Sequence, residues 1–459
     1  MEQKEERDVR HSNMKKLTLR QLLTVATMLF GLFFGAGNLI FPASMGQMAG
    51  RNLWWAAAGL LITGVGLPLL GVAALGISRK EGLFALSSRV GRGYGFFFTC
   101  VLYLTIGPFF AIPRCATVAY TVGIQQVLPQ GGTTALAVFS LIFFAAVLFF
   151  SLRPGEILTW VGKVLTPLFL CFLAVLVLRA LTAPIGDVSA VEPFGNYAAN
   201  AFTAGILEGY NTMDALASLA FGIIVVNAIR SLGVDEPGAV AKSTVLAGLF
   251  SSLFMGLIYV LVIIMGAQSR GLFPVSANGG EALALIAAHY FGGVGALILA
   301  ATVTLACLKT AVGLITSCSE TFVQLFPKGP SYRVWAVGFC IISFLIANLG
   351  LDAILAYSAP VLMFLYPLSI VLILLTLCGR FFGNDPVVLR WTLGFTMVAA
   401  LIDLLRALPA ATQELLHTVP LVTVAETYLP LCDLGFGWVC PALVGLVIGL
   451  LLHRARRTA

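Results

Sequence analysis

Apolar runs of about twenty residues recur along the whole chain, and they leave few folds open. Each is long enough to cross a hydrocarbon layer ~30 Å thick as an α-helix, which satisfies its own backbone donors and acceptors. The runs are continuous in Leu, Val, Ile and Phe, without the two-residue alternation of a membrane barrel. Composition agrees. Hydrophobic residues make up 59% of the 459 positions and charged residues 10%, whereas a soluble domain carries about 25% charged residues. The sequence therefore predicts an all-α integral membrane protein.

Hydropathy places about 12 transmembrane helices, near 19–45, 53–77, 94–121, 133–151, 157–179, 214–230, 240–267, 292–325, 333–349, 351–378, 387–408 and 434–453. Residues 78–93 form an amphipathic linker, and the mixed stretches 180–213 and 409–433 read as long loops. A net charge of +7 could suggest nucleic acid. Most of the Lys and Arg, however, sit in the N-terminal tail 1–18, the C-terminal tail 454–459 and short loops that fall on one side of the membrane. The acids Asp187, Glu192, Glu208, Glu414, Glu426 and Asp433 fall on the other. That asymmetry predicts both termini in the cytosol, which an even number of spans also requires. The nine cysteines lie mostly in apolar runs and read as buried thiols, with Cys432 and Cys440 as a candidate pair outside the cell.

Two spans cannot be plain helix. FFGAGNLIFPASMG (33–46) puts Gly35, Gly37, Asn38 and Pro42 into an apolar run, where they weaken the helix and free backbone groups. Such a break is tolerated only inside protein or beside a polar cavity. SLAFGIIVVNAIRS (218–231) carries a comparable interruption at Gly222 and Asn227. Five spans separate the two, the spacing of an inverted repeat whose broken helices hold the ligand. Half-helix N-termini can receive a carboxylate, so no charged side chain is required for the head group. The alternative is that these glycines are packing notches between helices.

The same residues carry a family resemblance. FFGAGNLIFPASMGQMAG (33–50), YLTIGPFFAIPRCATVAY (103–120), SLAFGIIVVNAIRS, ACLKTAVGLITSCSE (306–320) and NLGLDAILAYSAPVL (348–362) resemble the bacterial branched-chain amino acid:cation symporters, in order and through essentially the whole chain. The resemblance implies the leucine-transporter type fold, a 5+5 inverted repeat with broken helices 1 and 6. The repeats would be 19–179 and 214–378, joined by the extracellular loop 180–213. Two peripheral helices would follow within 379–453. It implies a bacterial cytoplasmic membrane location and uptake of leucine, isoleucine and valine by alternating access, driven by sodium or protons. The substrate carboxylate would meet Ala36, Gly37 and Asn38, and its ammonium the carbonyls near Ser218 to Gly222. Phe221, Pro108 and Phe109, with Pro113 nearby, would shape the side-chain pocket.

A sodium site of this fold would use carbonyls near Gly31 and Phe34 with Ala306 and Thr310 opposite. Next to them stands Lys309, where the resemblance leads one to expect a small neutral residue. A lysine midway along a membrane helix costs about 2.5–3.5 kcal/mol to insert, so it needs a reason. It can stand in for the cation, carry a proton, or reach a water-filled vestibule. Lys163 is a second candidate near the ion site, although it lies close enough to the cytosolic face to snorkel. Arg114 reads as a structural cation that binds carbonyls or an acid, and Asp403 with Arg406 as a local ion pair.

Catalytic clusters of His, Asp, Glu or Ser are missing from the spans, which excludes an evident enzyme. Polar stripes on several helices, as a channel needs, are missing as well. The sequence predicts no cofactor, no metal other than possible sodium, no nucleic acid and no obligate protein partner. The competing transport reading is a sodium-independent exchanger or uniporter of the same fold.

Overall fold

Thr18 opens the first helix with a reciprocal cap. Its hydroxyl accepts from Gln21 N–H at 3.3 Å, and Gln21 Oε1 accepts from Thr18 N–H at 3.0 Å. From there the computed structural model, which describes residues 17–35, 37–78, 82–125, 131–153 and 166–458, is helical throughout, with no strand among the described residues. The first span is α1 (Leu19–Phe33) and α2 (Gly37–Ala49), separated by the expected break. After a short turn follow α3 (53–78), the small α4 (Leu83–Ser87) and α5 (Arg92–Ile124). Then come α6 (Gly132–Ser151) and the described part of α7 (Thr166–Thr182).

The sixth span differs from expectation. Within the predicted loop 180–213 the chain forms a helix, α8 (Asn196–Thr212), which leads through Met213 directly into α9 (Asp214–Ser231). The principal break is therefore at Met213. Past Gly222, where the sequence suggested it, α9 bends by 40°.

The second half continues with α10 (Pro237–Ser269) and α11 (Gly279–Leu325), which Gly292 kinks with a positive φ of 61°. Next are α12 (Tyr332–Ala347), α13 (Leu351–Leu377), α14 (Pro386–Ala407), the short α15 (Ala410–Leu415) and α16 (Val419–Tyr428), and α17 (Val439–Thr458). By length and composition, eight described helical stretches can cross a membrane, or nine if the bent α9 is one span. α1, the described part of α7 and α12 are shorter apolar helices. Trp54, Trp55, Leu141, Ile142, Leu253 and Leu257 stay exposed, as side chains facing lipid do.

Small residues hold the bundle together, since lipid offers no hydrophobic drive for helices to associate. α8 lies on α3 so closely that a Cβ on Gly205 would sit 2.1 Å from Ala56 O, and one on Gly59 would sit 2.1 Å from Phe202 O. α2 meets α10 in the same way through Gly46 and Gly266. Cys432 and Cys440 are free thiols, not a pair. The expected Asp403–Arg406 pair is also absent. Arg406 turns to Glu426 at 2.8 Å and to the carbonyls of Cys432 and Asp433, and Asp403 is buried.

Candidate functional site

The two breaks meet in the middle of the molecule. Phe34 leaves the helical region (φ −72°, ψ 92°), and α2 restarts at Gly37. Between them Gly35 N–H donates to Asn38 Oδ1 at 2.8 Å, so the side chain replaces a helical acceptor. Asn38 Nδ2 in turn donates to Asp214 Oδ2 at 2.6 Å and to the Tyr259 hydroxyl, and that hydroxyl donates to the same carboxylate oxygen at 2.7 Å. Asn38, Asp214 and Tyr259 are all buried. A continuous hydrogen-bonded chain thus ties the break in the first span to the start of α9 and to α10.

The second break is at Met213, in the left-handed region with φ 63° and ψ 10°. It ends α8 and strands its last carbonyls. Arg114, from α5, takes them. Its Nη1 donates to Asn211 O at 2.6 Å and its Nη2 to Thr212 O at 3.4 Å. A cation at a helix C-terminus also meets the negative end of the helix dipole. The guanidinium lies over the Phe41 ring, 5.1 Å from its centroid, and against the start of α2. A Cβ on Gly37 would come within 2.9 Å of Nη2, so glycine gives the cation its close approach here. α5 can present Arg114 in this way because it is itself interrupted: Gly107 has φ −95° and ψ −124°, and Phe110 φ −132°.

These groups surround a small cavity of about 30 Å³. Its polar lining comes from the breaks: Gly35, Gly37, Asn38, Thr212, Met213 and Asp214, with Arg114 and Thr310. Leu32, Phe33, Ile106, Ala111, Cys115, Ala217, Phe221 and Leu314 supply the apolar remainder. Of the substrate and ion residues expected from the sequence, Gly37, Asn38, Phe221 and Thr310 come together here, with Gly35 of the first break and Arg114 beside them.

Others do not. Ser218 bonds Ala215 O at 2.6 Å and packs on Gly71 of α3, and Gly222 faces Leu75 of the same helix. Pro108 is buried outside the cavity lining, with its carbonyl accepting from Ser343. Phe109 is partly exposed and stacks edge-on to Phe110. Ala36 and Lys163 lie outside the described residues.

Around the expected ion position, Gly35 abuts Thr310: a Cβ there would lie 3.0 Å from Oγ1. That hydroxyl donates to Ala306 O at 3.1 Å. Gly31, Phe34 and Ala306 are buried beside the cavity without lining it, and Lys309 is 3% exposed in the middle of α11. Sequence reasoning missed Asp214, Tyr259 and Met213. One signal was present in GYNTMDAL (209–216), where weak helix formers precede an acid and then an apolar run, a helix-start pattern.

Comparisons with known proteins agree with this architecture. A family profile described as branched-chain amino acid transport protein matches residues 18–456. The branched-chain amino acid permease BrnQ of Lactobacillus delbrueckii subsp. lactis is 53% identical over 433 residues, 94% of this chain and 96% of its own. BrnQ of Escherichia coli K12 is 38% identical over 443 residues, 96% of this chain and 97% of its own. Among solved structures, the nucleobase-cation-symport-1 family transporter Mhp1, closed with bromovinylhydantoin bound, superposes with a TM-score of 0.60 at 16% identity, covering 94% of this chain and 92% of that one. MhsT in complex with L-phenylalanine gives 0.57 at 16% identity, covering 95% and 99%. At that identity the two structures establish a shared fold. With a profile that spans nearly the whole sequence, the chain belongs to the branched-chain amino acid transport protein family.

Proposed function

We propose that this protein imports leucine, isoleucine and valine by alternating access, coupled to a sodium or proton gradient, with both termini in the cytosol. The observation that carries this reading is the cavity where two broken helices meet: polar groups gathered at the breaks, aliphatic and aromatic side chains around the rest. That division suits an amino acid with a branched aliphatic side chain. The relatives named as branched-chain permeases, alike over nearly their whole length, support it.

At about 30 Å³ the cavity has room for a water or two, not for an amino acid. Binding must therefore open it, as a carrier that cycles between states requires. An apolar pocket separates side chains differing by one methylene by only about 1–3 kcal/mol, so the three substrates should compete with one another.

Lys309 favours a second reading, exchange or uniport without sodium. Its ammonium is buried next in sequence to Thr310, which meets the first break at Gly35. A fixed cation at the ion position would take the place a mobile one needs. Leucine uptake into proteoliposomes under imposed sodium or proton gradients, native against Lys309→Thr, separates these. Sodium-independent native uptake that becomes sodium-dependent in Lys309→Thr supports the stand-in. Sodium-driven native uptake unaffected by the substitution removes it, and no leucine uptake at all sinks the substrate reading.

A further inference from the structure

Two opposite charges line the central cavity, and no ion pair joins them among the described residues. Arg114 stands on α5 and Asp214 at the first turn of α9, both nearly inaccessible to solvent. Burying either ion is costly unless neighbouring dipoles or an opposite charge compensate it. Here dipoles hold each charge in place. Carbonyls of α8 orient the guanidinium, whereas Asn38 and Tyr259 both donate to one oxygen of the carboxylate, Oδ2. Such an arrangement holds two charges of opposite sign in the lining of one small cavity, where a ligand carrying both charges meets them.

The surroundings sharpen the polarity. The start of α2 at Gly37 adds the positive end of a helix dipole beside Arg114, so an anion there meets both a fork of N–H donors and a helix N-terminus. Asp214 is the acceptor, at the start of α9 two residues beyond Thr212, whose carbonyl Arg114 holds.

We propose that Arg114 and Asp214 together bind the zwitterionic head group of an α-amino acid, Arg114 taking the carboxylate and Asp214 the ammonium. The inference rests on the transport reading above. It goes further by assigning head-group recognition to a pair of charged side chains rather than to backbone dipoles alone. The site then selects for ligands carrying both charges on one carbon and rejects aliphatic acids and amines of the same shape, because each leaves one buried charge unanswered.

The test measures Kd for three probes from ligand-dependent thermal stabilisation of the purified full-length protein. The probes are leucine, 4-methylpentanoate (leucine without its ammonium) and 3-methylbutylamine (leucine without its carboxylate). The native protein should bind leucine about 100-fold or more tightly than either analogue, the scale of losing one partner of a buried charge pair. Asp214→Asn should collapse the preference over 4-methylpentanoate and keep that over 3-methylbutylamine. Arg114→Gln should do the reverse.

Should either neutral variant fail to melt cooperatively, the charge-retaining variants carry the test. Arg114→Lys should weaken leucine and 4-methylpentanoate but not the amine. Asp214→Glu should weaken leucine and the amine but not the acid. Equal shifts of all three probes, in a native protein that prefers leucine, overturn the charge-pair assignment alone. A native protein that leucine, isoleucine and valine all fail to stabilise overturns the transport reading beneath it.

Discussion

The contact between α8 and α3 decides whether the helix expected to be a loop is a working part of the sixth span, and Gly205→Ala tests it. A Cβ on Gly205 would lie 2.1 Å from Ala56 O, 2.8 Å from Ala56 C and 3.0 Å from Ala56 Cα. All three obstacles are backbone, so no side chain can rotate away. Restoring ordinary contact near 3.5 Å means parting the helices by more than about 1 Å. Overpacking of this kind costs roughly 1–3 kcal/mol, and the better helix propensity of alanine returns up to about 1 kcal/mol, for a net loss of about 1–2 kcal/mol. Uptake should suffer more than stability. α8 ends at the carbonyls that Arg114 holds at 2.6 and 3.4 Å, bonds that a shift of about an ångström would break. Gly338→Ala is the control, because nothing stands within 4 Å of its Cβ position, and it should be neutral or slightly stabilising. Gly59→Ala clashes across the same interface with Phe202 O at 2.1 Å, so the double variant should cost clearly less than the two singles together. Melting in detergent and leucine uptake in proteoliposomes are the readouts. A Gly205→Ala protein as stable and active as Gly338→Ala, with strictly additive effects alongside Gly59→Ala, would refute the contact.

Two further predictions follow from hydrogen bonds. Tyr259→Phe keeps the ring and removes the 2.7 Å bond to Asp214 Oδ2, leaving that carboxylate with Asn38. It should cost about 1.5–3 kcal/mol, as hydrogen bonds to charged groups do, seen as a lower melting temperature together with slower uptake. Asp385 caps α14, accepting from Val387 N–H at 2.9 Å and contacting His453 Nδ1 at 2.6 Å. First the Val387 amide and then the His453 ring hold its carboxyl below the usual carboxylate range. With a lowered folded-state value, its stabilisation is complete above the unfolded value near 3.9 and disappears as pH falls through the folded one. Asp385→Ala should therefore lose about 1 kcal/mol at pH 7 and progressively less below about pH 4. A loss of equal size at both pH values in melting curves would exclude the carboxylate as its source.

How legible the site was depends on what each segment faces. The first break could be read directly because Gly35, Gly37, Asn38 and Pro42 cluster in a run that is otherwise apolar, more breakers than a packing notch needs. The sixth was displaced because NYAANAFTAGILEGYNT (196–212) looks too polar for a membrane. The structure supplies the reason. Gly205 and Gly209 are spent on close approach to α3, and Thr212 bonds Gly209 O instead of water. Asn211 offers its carbonyl to Arg114. Gly205, Gly209 and Thr212 are buried and lower the hydropathy of the helix without facing either water or lipid. Conversely, Gly222 drew attention as a breaker within an apolar stretch, and it turns out to be a notch for Leu75 of α3, the packing alternative that the sequence left open. Ser218, expected near the substrate ammonium, fits the notch at Gly71.

Hydropathy registers what lipid touches, whereas a transport site is built from what lipid never touches. The helix that carries the site is thus the one most easily mistaken for a loop. Arg114 and Asp214 illustrate the same bias: one was read as structural and the other was passed over as the edge of a span, although both line the cavity. A buried charge in such a chain costs enough that its position is better evidence for a site than the apolar runs around it.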